Sequence, residues 1–246
     1  MRRYVGAIER AVQAEVMSDL DSLAAFDANG NLTSASRRRI RAALDDAAED
    51  VRETARPDVM DEVDTHVTRM RRVSLDMFEA QIDGLTDDPD TAADMRATAD
   101  ESDSSQTEDR AADRNADLMD SILNDTIDRL GDTLLEGLER GTTVEEREAW
   151  AEVEFEDAIE LAQRRGDRIA AWESDSMNGE YAELWNLANE LGLYTWITKE
   201  DERVRNRHDA RHGQIYAWTS VHDEDPFDGH PGIPPACRCA AEPVLA

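Results

Sequence analysis

Residues 118–141 read LMDSILNDTIDRLGDTLLEGLERG, and their apolar side chains return with the period of an α-helix. Leu118, Ile122, Ile127, Leu130, Leu134 and Leu138 form one stripe, with acidic residues over most of the opposite face. Gly141 stops the pattern. Thr142 and Thr143 then stand where a second helix needs its N-cap, with Glu145 and Glu146 in the first turn, where the helix dipole favours acids. Trp150, Phe155, Ile159 and Leu161 supply the apolar side of that helix, and a last one is expected from Tyr181 to Leu191, closed by Gly192.

The same period extends toward the N-terminus. Val5, Ile8, Val12, Val16 and Leu23 mark a first helix that breaks at the turn cluster Asp27–Asn31. Thr33 or Ser34 can cap a second, with Ile40, Leu44, Ala47, Val51 and Ala55 as its stripe and Pro57 as its expected end. Val59, Val63, Val67, Met70, Met77, Phe78 and Ile82 predict a third, closing at Gly84; His66 within it reads as an ordinary, partly buried side chain. Residues 86–114 have almost no large apolar side chains and dense negative charge. They read as an acidic linker, or as a solvated helix propped up by its neighbours.

The 246 residues include 57 Asp+Glu against 27 Lys+Arg, a formal net charge of −30. Lys199 is the sole lysine, and the acids are spread along the chain instead of gathered in a tail. Self-repulsion of such a surface strains the compact state at low salt, and near 1 M salt a Debye length of about 3 Å screens it. This is the composition expected of a protein working in a salt-saturated cytoplasm. It argues against non-specific DNA binding by the body of the chain. No apolar run approaches the roughly 18–20 residues of a membrane span, and Glu9 and Glu15 interrupt the opening where a signal peptide needs an apolar stretch. No membrane association is expected. Two cysteines, Cys237 and Cys239, cannot build a disulfide framework, and a bond between them would close a strained ring.

Composition shifts after residue 190. All five tryptophans lie at or beyond 150, and five of the seven prolines beyond 225. Residues 194–198 and 214–219 read as short strands, 200–212 as a helix, 225–236 as a Pro/Gly-rich loop, and 237–244 as a final strand. The expected fold is therefore mainly α: an N-terminal helical body with a small, loop-rich α+β C-terminal module. The expected segments are a helical docking region (1–85), an acidic linker (86–114), a helical lead-in (115–192) and the module (193–246).

Within the module, helical spacing would put Asp201, Arg205 and His208 on one face. Cys237 and Cys239, two apart on an extended segment, point to one side. If the loop folds back, an imidazole and two thiols converge, a donor set suited to zinc. His230, His222 or His212 would complete the four, with His230 preferred for its place just ahead of the cysteines. Three readings stay open: structural zinc, a reduced cysteine pair in a packed core, and catalytic use of these side chains. Arg203, Arg205 and Arg238 either pair with Asp201 and nearby carboxylates or contact DNA or an acidic partner surface. Trp185, Trp196 and Trp218 read as core.

Trp196, Thr198, Asp201, Arg203, Arg205, His208 and Gly213, followed by a Pro-rich loop containing Pro226-Phe227 and Pro235 and then by Cys237-Arg238-Cys239, occur in the order seen in a known viral family. The pattern resembles the C-terminal module of the phage Mu F-like minor head proteins, the head morphogenesis proteins of tailed viruses. LLEGLERGTTVEEREAW and RIAAWES resemble that family's helical lead-in, although Ala171 and Trp172 replace its usual Arg-Thr. The likeness covers roughly residues 118–246. It implies a non-enzymatic minor capsid protein, located in the virion at the capsid interior or portal vertex and in host cytoplasm during procapsid assembly. Its implied partners are the portal protein, the major capsid protein or both, and packaged DNA through the C-terminal arginines. Together with the acidity, it implies a tailed virus of a halophilic archaeon. The alternative is a small nuclease or toxin-like effector using His208 with Arg205 and Asp201; with seven residues after Cys239, a further toxin domain is not expected.

Overall fold

A computed structural model describes residues 1–220 and 229–245. His222, Pro226-Phe227 and the loop positions 225–228 lie outside the described residues. The fold is mainly α with one small antiparallel sheet, as the periodicity requires. It divides into two compact units, Met1–Glu62 with Asn115–Ile169, and Val63–Arg114 with Ala170–Ala246. This division differs from the four segments suggested by composition. Each unit draws on stretches distant in sequence, because amphipathic helices bury their stripes against one another and not against their chain neighbours.

In the first unit, α1 (Arg2–Glu15) buries Val5, Ile8 and Val12, the stripe read from the sequence. A short α2 (Leu20–Leu23) and a turn lead to α3 (Ser34–Asp50). Thr33 caps α3 by accepting from the Ser36 backbone N–H at 3.2 Å, and Ser36 Oγ in turn accepts from Ala25 N at 2.8 Å. Ile40 and Leu44 of α3 share the core with Ile122, Leu130 and Leu134 of α6 (Ser105–Arg140) and Phe155 and Ile159 of α7 (Val144–Ala188). The start of α7 is a capping box: Glu146 N donates to Thr143 Oγ1 at 3.2 Å, and Glu146 Oε2 accepts from Thr143 N at 3.3 Å and Thr142 N at 2.9 Å.

Pro57 does not end a helix. α3 passes through one π turn (Val51–Ala55) into α4 (Arg56–Leu85), with the Arg56 N–H donating to Val51 O across five residues. The wider turn falls immediately before the proline, where an ideal α-helix would bring the ring against a carbonyl.

In the second unit, most of the acidic stretch 86–114 is helix resting on its neighbours, the second of the two readings the sequence left open. α5 (Pro89–Glu101) is capped by Asp88 and buries Ala92, Met95 and Ala99 in a cluster with Phe78, Ile82, Tyr181 and Trp185. One methionine between two alanines suffices because the neighbours supply the bulk. Arg114 reaches Glu180 at 2.7 Å and Glu173 at 3.4 Å, both carboxylates being almost fully buried.

The sheet also belongs to the second unit. β1 (Leu193–Ile197) lies between β2 (Ile215–Ala217) and β3 (Ala240–Val244), antiparallel to both, with Tyr194 opposite Tyr216 and Trp196 opposite Ala241. β1 and β2 fall on the expected segments. β3 begins at Ala240, so both cysteines precede it.

Candidate metal centre

The segment 200–212 is not the continuous helix that the spacing suggested. Glu200 has φ 51°, Asp201 Oδ1 accepts from Arg203 N at 3.0 Å, and only Asn206–Asp209 forms a helical turn (α8), with Arg205 at its N-cap. An aspartate bonding the backbone two residues on favours a turn over a helix. Asp201, Arg205 and His208 therefore do not share a helix face. They meet the cysteine segment separately: Arg238 donates to Asp201 at 2.6 Å, Arg205 donates to the Pro235 carbonyl, and His208 meets the sulfurs.

Gly213, at φ 72°, reverses the chain after α8 and donates to the Trp196 carbonyl at 2.8 Å. That bond and the Trp196 N–H to Gln214 O bond at 2.9 Å set the strand register, which lays the Trp196 ring edge-on to His208, centroids 5.1 Å apart. From the other side, Cys237 N donates to Pro234 O at 2.9 Å, closing a turn with Ala236 at φ 55°. The left-handed region costs a non-glycine residue about 1 kcal/mol or more. Here it aims Cys237 inward. This loop is held from below by Trp172 Nε1 and Ser176 Oγ, both donating to Ile233 O. Its Gly232, at φ 87°, faces Gly179 of α7 so closely that neither position has space for a Cβ without displacing backbone.

The outcome is a buried triad. His208 Nδ1 lies 3.5 Å from Cys237 Sγ and 3.6 Å from Cys239 Sγ, and all three ligand atoms fall within 4.8 Å of one another. The residues are 2%, 2% and 9% exposed. Gly232 N donates to Cys237 Sγ at 3.5 Å. Hydrogen bonding from Cys239, with help from His208, lowers the Cys237 thiol against the effect of burial, while the contact with Cys237 and burial push Cys239 up. The expectation that both cysteines point to one side and meet His208 describes what is seen.

His230 is not brought to this cluster. Its Nδ1 meets Tyr194 Oη at 2.9 Å, and its ring packs 4.9 Å from Trp218. His212 is also elsewhere: its Nδ1 accepts from Thr198 N at 3.1 Å and lies 3.0 Å from Thr198 Oγ1. Arg238 and Asp201 form an ion pair that ties the cysteine segment to the turn before α8, one of the two uses open to the arginines. Trp185, Trp196 and Trp218 are all core. Sequence reasoning missed Gly179 and Gly232. An isolated glycine within a helical pattern, and a Pro-Gly pair in a loop, were the available signals.

The comparisons bear on this same region. Residues 128–242 match the model of the phage Mu protein F like family. The Mu F-like segment includes Trp196, Asp201, Arg203, Arg205, His208, Gly213 and the Cys237-Arg238-Cys239 run. A stretch of 132 residues, 53% of the chain, is 27% identical to an uncharacterized protein of Haemophilus influenzae. It covers 28% of that relative, so the chain spans less than a third of its length. No solved structure matches. No helix among the described residues is long and apolar enough to cross a membrane.

Proposed function

We propose that the chain is a minor head protein of a tailed virus, acting in head morphogenesis at the capsid interior or portal vertex. One observation carries this reading: the Mu F-like match over residues 128–242, whose motif residues are the ones that fold the second unit's sheet and cysteine loop. The partners would be portal or major capsid subunits. Packaged DNA would be met only through the C-terminal arginines, since −30 overall repels phosphate. The acidic surface, with one lysine, supports a virus of a high-salt cell. The nuclease alternative needs His208 at a surface as a general base, and its burial against two sulfurs gives that reading no support. Deleting the gene from an infectious clone tests the proposal. Heads that are misassembled, or full but non-infectious, are expected; a normal yield of infectious particles would overturn it.

A further inference from the structure

We propose that His208, Cys237 and Cys239 bind one zinc ion, with the fourth position left to water. The inference rests on geometry and stands apart from the head-protein reading. A tetrahedral zinc with metal–sulfur bonds of about 2.3 Å and a metal–nitrogen bond of about 2.0 Å has sulfur–nitrogen edges of about 3.5 Å. The two separations found are 3.5 and 3.6 Å. A single imidazole N–H cannot aim at two sulfurs equally, whereas a shared metal requires that arrangement. The other ring nitrogen, Nε2, is buried without a hydrogen-bond partner among the described residues. Hydrogen bonding therefore accounts for only one edge of a nearly inaccessible imidazole.

The donor set is one imidazole and two thiols, borderline and soft ligands of the kind zinc takes. The sequence-based expectation of His230 as fourth ligand is replaced. Cys237 and Cys239 border a cavity of about 290 Å³, shared with Asp175, Asn178, Lys199 and Arg238, and that cavity is where the water ligand would sit. The ion would tie α8 to the loop ahead of β3. It would deprotonate both thiols, with the Arg238–Asp201 pair and the Gly232 N–H around them.

The test uses the full chain, purified without a metal-affinity column, in three measurements. Elemental analysis should find about one zinc per chain, and cobalt(II) added to the stripped protein should give thiolate charge-transfer and tetrahedral visible bands. His208→Ala and Cys239→Ser should each reduce retained zinc about tenfold or more, whereas His230→Ala should retain it. The cobalt spectrum of the unsubstituted chain decides the matter even if a variant fails to fold. Folded, metal-free protein whose two thiols react with a thiol reagent and which gives no cobalt bands overturns the proposal. Loss of zinc in His230→Ala to the same extent as in Cys239→Ser overturns the ligand set.

Discussion

Gly179→Ala is the sharpest probe of how the cysteine loop is held. Gly179 sits inside α7, and in an unobstructed helix the change to alanine would stabilise by about 1 kcal/mol through propensity alone. Here an added Cβ would stand 2.7 Å from the Pro231 carbonyl oxygen and 3.0 Å from the Ile233 nitrogen, both backbone atoms. The loop must move, and overpacking of this kind costs about 1–3 kcal/mol. The loop also carries the Ile233 carbonyl that accepts from Trp172 and Ser176, so movement weakens those bonds together. The crowding outweighs the propensity gain, leaving a net loss of about 1 kcal/mol, or about 2–4 °C in Tm for a chain of this size. Thermal melts followed by near-ultraviolet circular dichroism give the shift, and thiol-reagent kinetics report on Cys237 and Cys239. Lower Tm with faster thiol reaction is expected. A higher Tm with unchanged thiol protection would show that the loop does not rest on Gly179.

Arg114→Met leaves Glu173 and Glu180 buried without their cation and should cost about 3–5 kcal/mol, lowering Tm by about 10 °C; a change within 2 °C or so would mean the carboxylates find other partners. Glu146 has its carboxyl held below the usual range, chiefly by the Thr142 hydroxyl and then by the Thr142 and Thr143 N–H groups. Its contribution is therefore present above the ordinary glutamate value of about 4.3 and lost as pH falls through the lower folded value. Glu146→Gln should melt earlier than the parent at neutral pH and converge with it in acid, and parallel pH profiles would contradict the capping box. Because the chain carries −30, its Tm should climb as salt rises from about 0.1 M to about 1 M and the Debye length shrinks from about 10 to about 3 Å. A flat salt profile would remove the high-salt reading.

The helices and their caps were legible because period and capping are local. Val5, Ile8 and Val12 declare a face within ten residues, and Thr143 with Glu146 declares a start within four. Pro57 misled because the π turn before it has no sequence marker: a proline's steric demand can be met by widening one turn as well as by ending the helix. The stretch 86–114 left linker and helix both open for a different reason. Ala92 and Ala99 look too small to pack and Met95 stands alone between them, and the bulk that completes their cluster, Tyr181 and Trp185, lies some eighty residues away. In the site, Cys237 and Cys239 could be placed on one side from their spacing. His230 could not be excluded from it, because nothing in the sequence announces the Tyr194 hydroxyl and the Trp218 ring that hold it.

The central claim, that this chain is part of a virus head, is tested most directly by quantitative mass spectrometry of gradient-purified particles produced from a high-salt host culture. The account predicts peptides of this chain in filled heads, at far fewer copies than the major capsid protein. Their absence from both filled heads and purified procapsids, with the protein abundant in the lysate, would contradict it.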